Sequence, residues 1–156
     1  MAKQIEEGSK APAFNLPTDT GGKIALKDLK GQNVVLYFYP RDDTPGCTKE
    51  AIGFTEKLKD FKKLNTVVIG VSKDTVEKHA KFRQKHDLEI VLGSDADTEI
   101  VEKYGAWVEK NMYGKKRMGI ERSTFLIDEK GKVSKVWRKV KVPGHVDAVL
   151  EAVKAL

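Results

Sequence analysis

The run Val34-Val35-Leu36-Tyr37-Phe38-Tyr39 constrains the fold more than any other stretch of this chain. It is apolar without interruption, which predicts a strand buried on both faces. Pro40 stops it, having no N–H to offer a sheet ladder. Asp42 to Gly46 form a turn-rich segment in which Thr44 or Asp43 can cap a helix and Pro45 can begin it. Phe54, Leu58, Phe61 and Leu64 follow at helical spacing. Cys47, the only cysteine of the chain, falls in the first turn of that helix. The unsatisfied N–H groups and partial positive charge of a helix start favour a thiolate over a thiol. This segment is therefore an address for chemistry.

The remaining chain supports a layered α/β protein. Residues 1–22 read as a surface segment whose Pro12, Phe14 and Leu16 pack onto the body, with a tight turn at Gly21-Gly22 and a short strand from Lys23 to Leu26. Thr66 to Val71 is a second β-branched run of buried type. Ser72, Asp74 and Thr75 offer caps for a helix from Val76 to His86. Ile90 to Leu92 predicts a short strand, and Asp95 or Asp97 opens a helix carrying Ile100, Val101 and Tyr104, ended by Gly105. Ala106 to Arg122 shows no clean period and reads as loop. Ser123 to Ile127 is a strand, Asp128 to Gly131 a hairpin turn, and Lys132 to Arg138 the antiparallel return. Val146, Val149, Leu150 and Val153 form the stripe of a last amphipathic helix. Strands alternating with helices imply parallel pairing by right-handed crossovers, and the late hairpin adds antiparallel strands. The expected fold is a single thioredoxin-like domain over residues 1–156, a mixed central sheet flanked by helices. Cys47 lies at the carboxyl ends of its strands.

Composition narrows the function. With 156 residues, 40% hydrophobic and 33% charged, the chain can bury one substantial core. No stretch is long and apolar enough to span a membrane, and the N-terminus lacks the apolar core of a secretory signal, so a cytoplasmic location is expected. The net charge of +6 raises nucleic acid as a partner. The lysines, however, are interleaved with acids and not with stacking aromatics, which argues for a solvated surface. A lone cysteine excludes an intramolecular disulfide and a cysteine-pair zinc site. His79 and His86, seven apart on one helix, cannot share an ion. Neither metal nor cofactor is expected.

A lone cysteine is more often a small buried hydrophobe than a nucleophile. What singles out Cys47 is its place at a helix start after a buried strand. Thr44 stands where a thioredoxin-type CxxC would have its first cysteine, so dithiol–disulfide exchange within that motif is excluded.

The run Tyr39-Pro40-Arg41-Asp42-Asp43-Thr44-Pro45-Gly46-Cys47-Thr48-Lys49-Glu50 resembles the active-site segment of peroxiredoxins and matches their PxxxTxxC pattern in full. The flanking residues resemble the Q-type group, also called bacterioferritin comigratory protein, and the likeness extends from Gly8 to Val133. The resemblance implies a thiol-dependent peroxidase that reduces hydrogen peroxide and organic hydroperoxides. In it Cys47 would be the peroxidatic cysteine, converted to a sulfenic acid. Thr44 would hydrogen-bond the thiolate and the peroxide, and Pro40 would shield the oxidised sulfur and shape the cleft. The N–H groups of Gly46 and Cys47 would bind the peroxide oxygens, and Arg122 would stabilise the thiolate and the leaving oxygen. Phe38, Tyr39 and Trp107 read as core or pocket wall. Some Q-type relatives carry a resolving cysteine five residues after the first, where this chain has Ile52; others carry one around residues 80–86, where it has none. The expected partner is therefore an external thiol: thioredoxin, glutaredoxin or glutathione. A monomer or weak dimer is expected. A one-turnover peroxide sensor is the competing reading from another class.

Overall fold

A computed structural model describes residues 5–156; the first four residues of the expected surface segment lie outside the described residues. The run at 34–39 is the middle of the molecule. Its strand, β3 (Asn33–Phe38), is buried at every position, as an uninterrupted apolar run requires when both faces are covered. It stands at the centre of a five-stranded sheet ordered β5-β4-β3-β8-β9, in which β4 is Thr66–Ser72, β5 Val91–Ser94, β8 Ser123–Ile127 and β9 Val133–Trp137. β3 pairs parallel with β4 and antiparallel with β8; β4 pairs parallel with β5, and β8 antiparallel with β9. This is the expected mixed sheet of a thioredoxin-like fold.

Alternate residues of β3 serve two cores. Val35 and Tyr37 face α1 (Pro45–Glu56), α2 (Leu58–Lys63), α3 (Val76–His86) and α5 (His145–Lys154), packing with Phe54, Phe61, Phe82, Leu126 and Val149. Val34, Leu36 and Phe38 face the other way, toward Phe14, Leu16, Val101, Tyr104 and Phe125. On the first side the rings of Tyr37 and Phe54 stack with centroids 4.8 Å apart. Truncating such a fully buried ring to alanine costs about 3–5 kcal/mol, transfer and cavity terms together.

Four elements depart from the sequence reading. The single helix expected through Leu64 is interrupted at Lys57, which joins α1 to α2. The surface segment contains a strand, β1 (Asn15–Pro17), paired antiparallel with β2 (Lys23–Ala25); its Phe14 and Leu16 are buried as expected. The helix after Asp95 is the single turn α4 (Ile100–Lys103), whose first N–H groups, those of Ile100 and Val101, donate to the buried Asp95 carboxylate. The largest difference is at 106–122, read as loop. It is a hairpin of β6 (Trp107–Met112) and β7 (Lys115–Ile120), with register from Trp107↔Ile120 to Met112↔Lys115. The two-residue turn is Tyr113-Gly114, both left-handed at φ 54° and 77°, as a tight hairpin of right-twisted strands requires. Most of β7 is exposed, so no apolar alternation was present to report a strand.

Candidate active site

The chain leaves β3 at Phe38, turns through Pro40 to Thr44 and enters α1 at Pro45. Thr44 is the N-cap residue, extended at φ −95° and ψ 155°, and its carbonyl accepts the first helical bond from Thr48 N–H at 2.8 Å. The Thr44 side chain makes no capping hydrogen bond to the first N–H groups of α1, so their partial charge is free to act on the sulfur two residues in. Cys47 is 1% exposed.

Arg122 arrives from the far end of the sequence because of strand register. β8 runs antiparallel to β3 with Ser123 opposite Phe38, so the residue before Ser123 emerges where β3 ends and α1 begins. The Arg122 backbone is held by Val140 N–H, which donates to its carbonyl at 3.0 Å. Its Nη2 donates to Cys47 Sγ at 3.3 Å, and its Nη1 donates to Glu50 Oε1 at 2.7 Å. Burial works against the guanidinium charge, and the neighbouring Glu50 and Cys47 more than restore it, raising Arg122 above an ordinary arginine. A fixed cation thus sits on the sulfur.

Gly46 makes that approach possible. A Cβ there would lie 3.1 Å from Arg122 Nη2, tighter than ordinary packing, so the guanidinium would have to give by a few tenths of an ångström.

Glu50, to which the sequence reading assigns no role, is the buried partner of Arg122. One helical turn beyond Cys47, it shares the face of α1 that meets Arg122. It is fully buried, and its Oε2 has no hydrogen-bond partner among the described residues. Burial pushes its carboxyl up to about 7 against the pull of Arg122. The spacing of three from Cys47 was the available signal.

Thr44 and Pro40 are beside the sulfur in sequence. The Thr44 hydroxyl donates to the Arg41 carbonyl at 3.0 Å rather than to the thiol, and Pro40 is exposed at the strand end. Phe38 and Tyr39 are buried and Trp107 half-buried, packed against the core. Ile52, in the resolving position, packs half-buried against the core under α1. A cleft of about 450 Å³ lies elsewhere, lined by Lys10, Pro12, Lys27 and Val34 at the start of β3. What marks the site is charge around a buried sulfur, not cavity size.

A second pair, missed in the sequence, holds the loop. Asp42 Oδ2 is 2.6 Å from Nδ1 of His79 on α3, its Oδ1 accepts from Tyr39 OH at 2.5 Å, and its own N–H donates to Asp74 Oδ2 at 2.8 Å. Among the described residues no group of three or more histidines, cysteines and acids could hold a metal ion, and no helix is long and apolar enough to cross a membrane.

The comparisons agree with this geometry. The family model for AhpC/TSA matches residues 8–136. The chain is 49% identical over 150 residues to peroxiredoxin Bcp of Bacillus subtilis, covering 96% of each chain. Its structure matches that of Xanthomonas campestris bacterioferritin comigratory protein at TM-score 0.87 and 44% identity, over 91% of this chain and 90% of the other. It matches Xylella fastidiosa PrxQ at 0.93 and 37%, over 99% and 98%. With its only cysteine at the start of a helix and an arginine on that sulfur, the chain belongs to the AhpC/TSA family as a peroxiredoxin of the bacterioferritin comigratory protein (Q) type, a thiol peroxidase.

Proposed function

We propose that this peroxidase reduces hydrogen peroxide and organic hydroperoxides through Cys47 and is recycled by an external thiol. The observation that carries the reading is the 3.3 Å contact from Arg122 Nη2 to Cys47 Sγ at the open N-terminus of α1. The thiolate attacks the terminal peroxide oxygen, an S–O bond forms as the O–O bond breaks, and the alkoxide or hydroxide leaves with the electron pair and takes up a proton. Cys47 is left as sulfenic acid. Arg122 and the N–H groups of Gly46 and Cys47 meet the negative charge that spreads over the breaking bond. Thr44, its proton committed to Arg41, has lone pairs left to accept the peroxide O–H. Pro40 walls the approach.

The alkyl peroxide activity named for the Xanthomonas campestris protein supports including organic hydroperoxides among the substrates. With Cys47 the only cysteine, the sulfenic acid condenses with an outside thiol, releasing water. A second thiol, from thioredoxin, glutaredoxin or glutathione, then frees Cys47 as a disulfide leaves. Such a cycle suits a reducing, cytoplasmic compartment and one domain working as a monomer or weak dimer. Peroxide consumption in the presence of thiol tests this reading. Many equivalents per protein, lost in Cys47→Ser, support it. A single equivalent would make the protein a sensor, and undiminished turnover in Cys47→Ser would overturn the assignment.

A further inference from the structure

His79 is fully buried on α3, and both its ring nitrogens face acceptors. Nε2 is 2.9 Å from the Gly93 carbonyl of β5, which can only accept, so Nε2 carries a proton. Nδ1 is 2.6 Å from the Asp42 carboxylate, which is itself held by Tyr39 OH and, through its backbone, by Asp74. An ionised Asp42 requires a proton on Nδ1 as well, making the ring an imidazolium. Among the described residues, the charged and titratable groups facing it come from two loops and from α3. Asp42 and Tyr39 come from the β3–α1 loop, and Asp74 comes from the β4–α3 loop, with Lys78 of α3 3.9 Å from its carboxylate. β5 contributes only the carbonyl. Asp43, next to Asp42, turns outward to Lys85 and His86. Burial opposes the charge on His79, but the hydrogen bond and charge of Asp42, the Gly93 carbonyl and Asp74 outweigh it and raise it above the ordinary 6.5.

The same loop carries Pro40 and Thr44 and leads into the first turn of α1, where the Cys47 sulfur is 1% exposed. On the proposed cycle an outside thiol must reach that sulfur, so the loop and the start of α1 must move between the two half-reactions. We propose that His79 is a positioning residue. Its imidazolium, gripping Asp42, latches the Pro40–Cys47 segment in the peroxide-reactive arrangement, and release of that grip admits the reducing thiol. A histidine with a raised folded value contributes its stability fully below its ordinary value and loses it as pH rises through the raised one. The latch therefore holds while the ring carries both protons and loosens as pH rises through the raised value.

Three measurements on the full chain test this. Nitrogen NMR of the histidines should show both His79 nitrogens protonated at pH 7. Amide exchange of the Pro40–Cys47 segment in the reduced protein, corrected for intrinsic rates, should accelerate as His79 titrates. In His79→Gln the exchange should already be faster at pH 7, on the order of ten-fold, the scale of one hydrogen bond to a charged group, with the alkaline step gone. Stopped-flow kinetics of that variant should show slower oxidation by hydrogen peroxide and faster reduction by dithiothreitol. A merely structural residue would slow both half-reactions. A neutral His79 at pH 7, exchange that is flat through its titration, or equal slowing of both half-reactions would overturn the latch. If His79→Gln does not fold, the wild-type NMR and exchange data still decide. If the wild type fails to turn over peroxide, the peroxidase reading falls, while these two measurements continue to test the latch.

Discussion

Arg122–Glu50 and His79–Asp42 are ion pairs of nearly equal length, 2.7 and 2.6 Å, yet only the first touches the sulfur. In the first the cation is permanent and the acid is the adjustable partner: Glu50 is pushed up to about 7, while a guanidinium cannot lose its proton in any useful range. In the second the cation titrates and has acceptors on both sides. The first pair delivers charge to the reacting atom. The second delivers position to the loop around it. Burial alone does not decide what a pair does; the chemistry of the groups facing it does.

Breaking the first pair should have the largest effect. Arg122→Ala removes the donor on Sγ, and kcat/KM for peroxide should fall about 10²–10³-fold, the range for losing one preorganised donor to developing charge. Reactivity of Cys47 toward iodoacetamide at pH 7 should fall with it. Arg122→Lys should recover only part, since one ammonium cannot serve Sγ and Glu50 with a planar fork. An Arg122→Ala enzyme of near wild-type rate would erase the distinction between the pairs.

The next test is whether the pairs are independent. Combining His79→Gln with Arg122→Lys should multiply the two losses in peroxide reactivity, as for sites with no shared partner. A double variant no worse than the poorer single one would mean that the loop acts by placing Arg122, and the two pairs would be one device.

A smaller effect concerns Glu50. A carboxyl raised from 4.5 to about 7 binds its proton more tightly folded than unfolded, so its contribution to stability declines as pH rises across that window. Thermal melts of wild type should therefore lose ground to Glu50→Gln between those two values. A constant difference would mean that Arg122 holds Glu50 ionised throughout.

The smallest effect should come from His145, a second buried histidine with the opposite surroundings. Its Nε2 is 2.8 Å from the Thr124 hydroxyl, and burial, then the charge of Arg122, lower it to about 4. A histidine kept neutral costs stability as pH falls from 6.5 toward that value. His145→Gln should flatten acid unfolding there, whereas His79→Gln should lose stability at and below the ordinary 6.5 and converge on wild type as pH rises through the raised His79 value.

Much of this was legible in the sequence. Strands buried on both faces are continuous apolar runs, so β3 and β4 were read within a residue of their ends. The helix start at Pro45 followed from turn chemistry, and the reactive sulfur from its place there. The β6–β7 hairpin was not legible, because an exposed ladder leaves no apolar alternation; its only cue was Gly114 in a left-handed turn.

The sequence by itself determined that one cysteine sits at a helix N-terminus after a central strand and that no second thiol exists to resolve it, for these are local and compositional facts. Only the tertiary structure decided which charges surround that cysteine. The β3–β8 register carries Arg122 across 75 residues to Sγ. The packing of α3 on the β3–α1 loop carries His79 across 37 residues to Asp42. A side chain's charge state depends on what burial removes and which groups replace the water, and those groups are neighbours in space rather than in sequence.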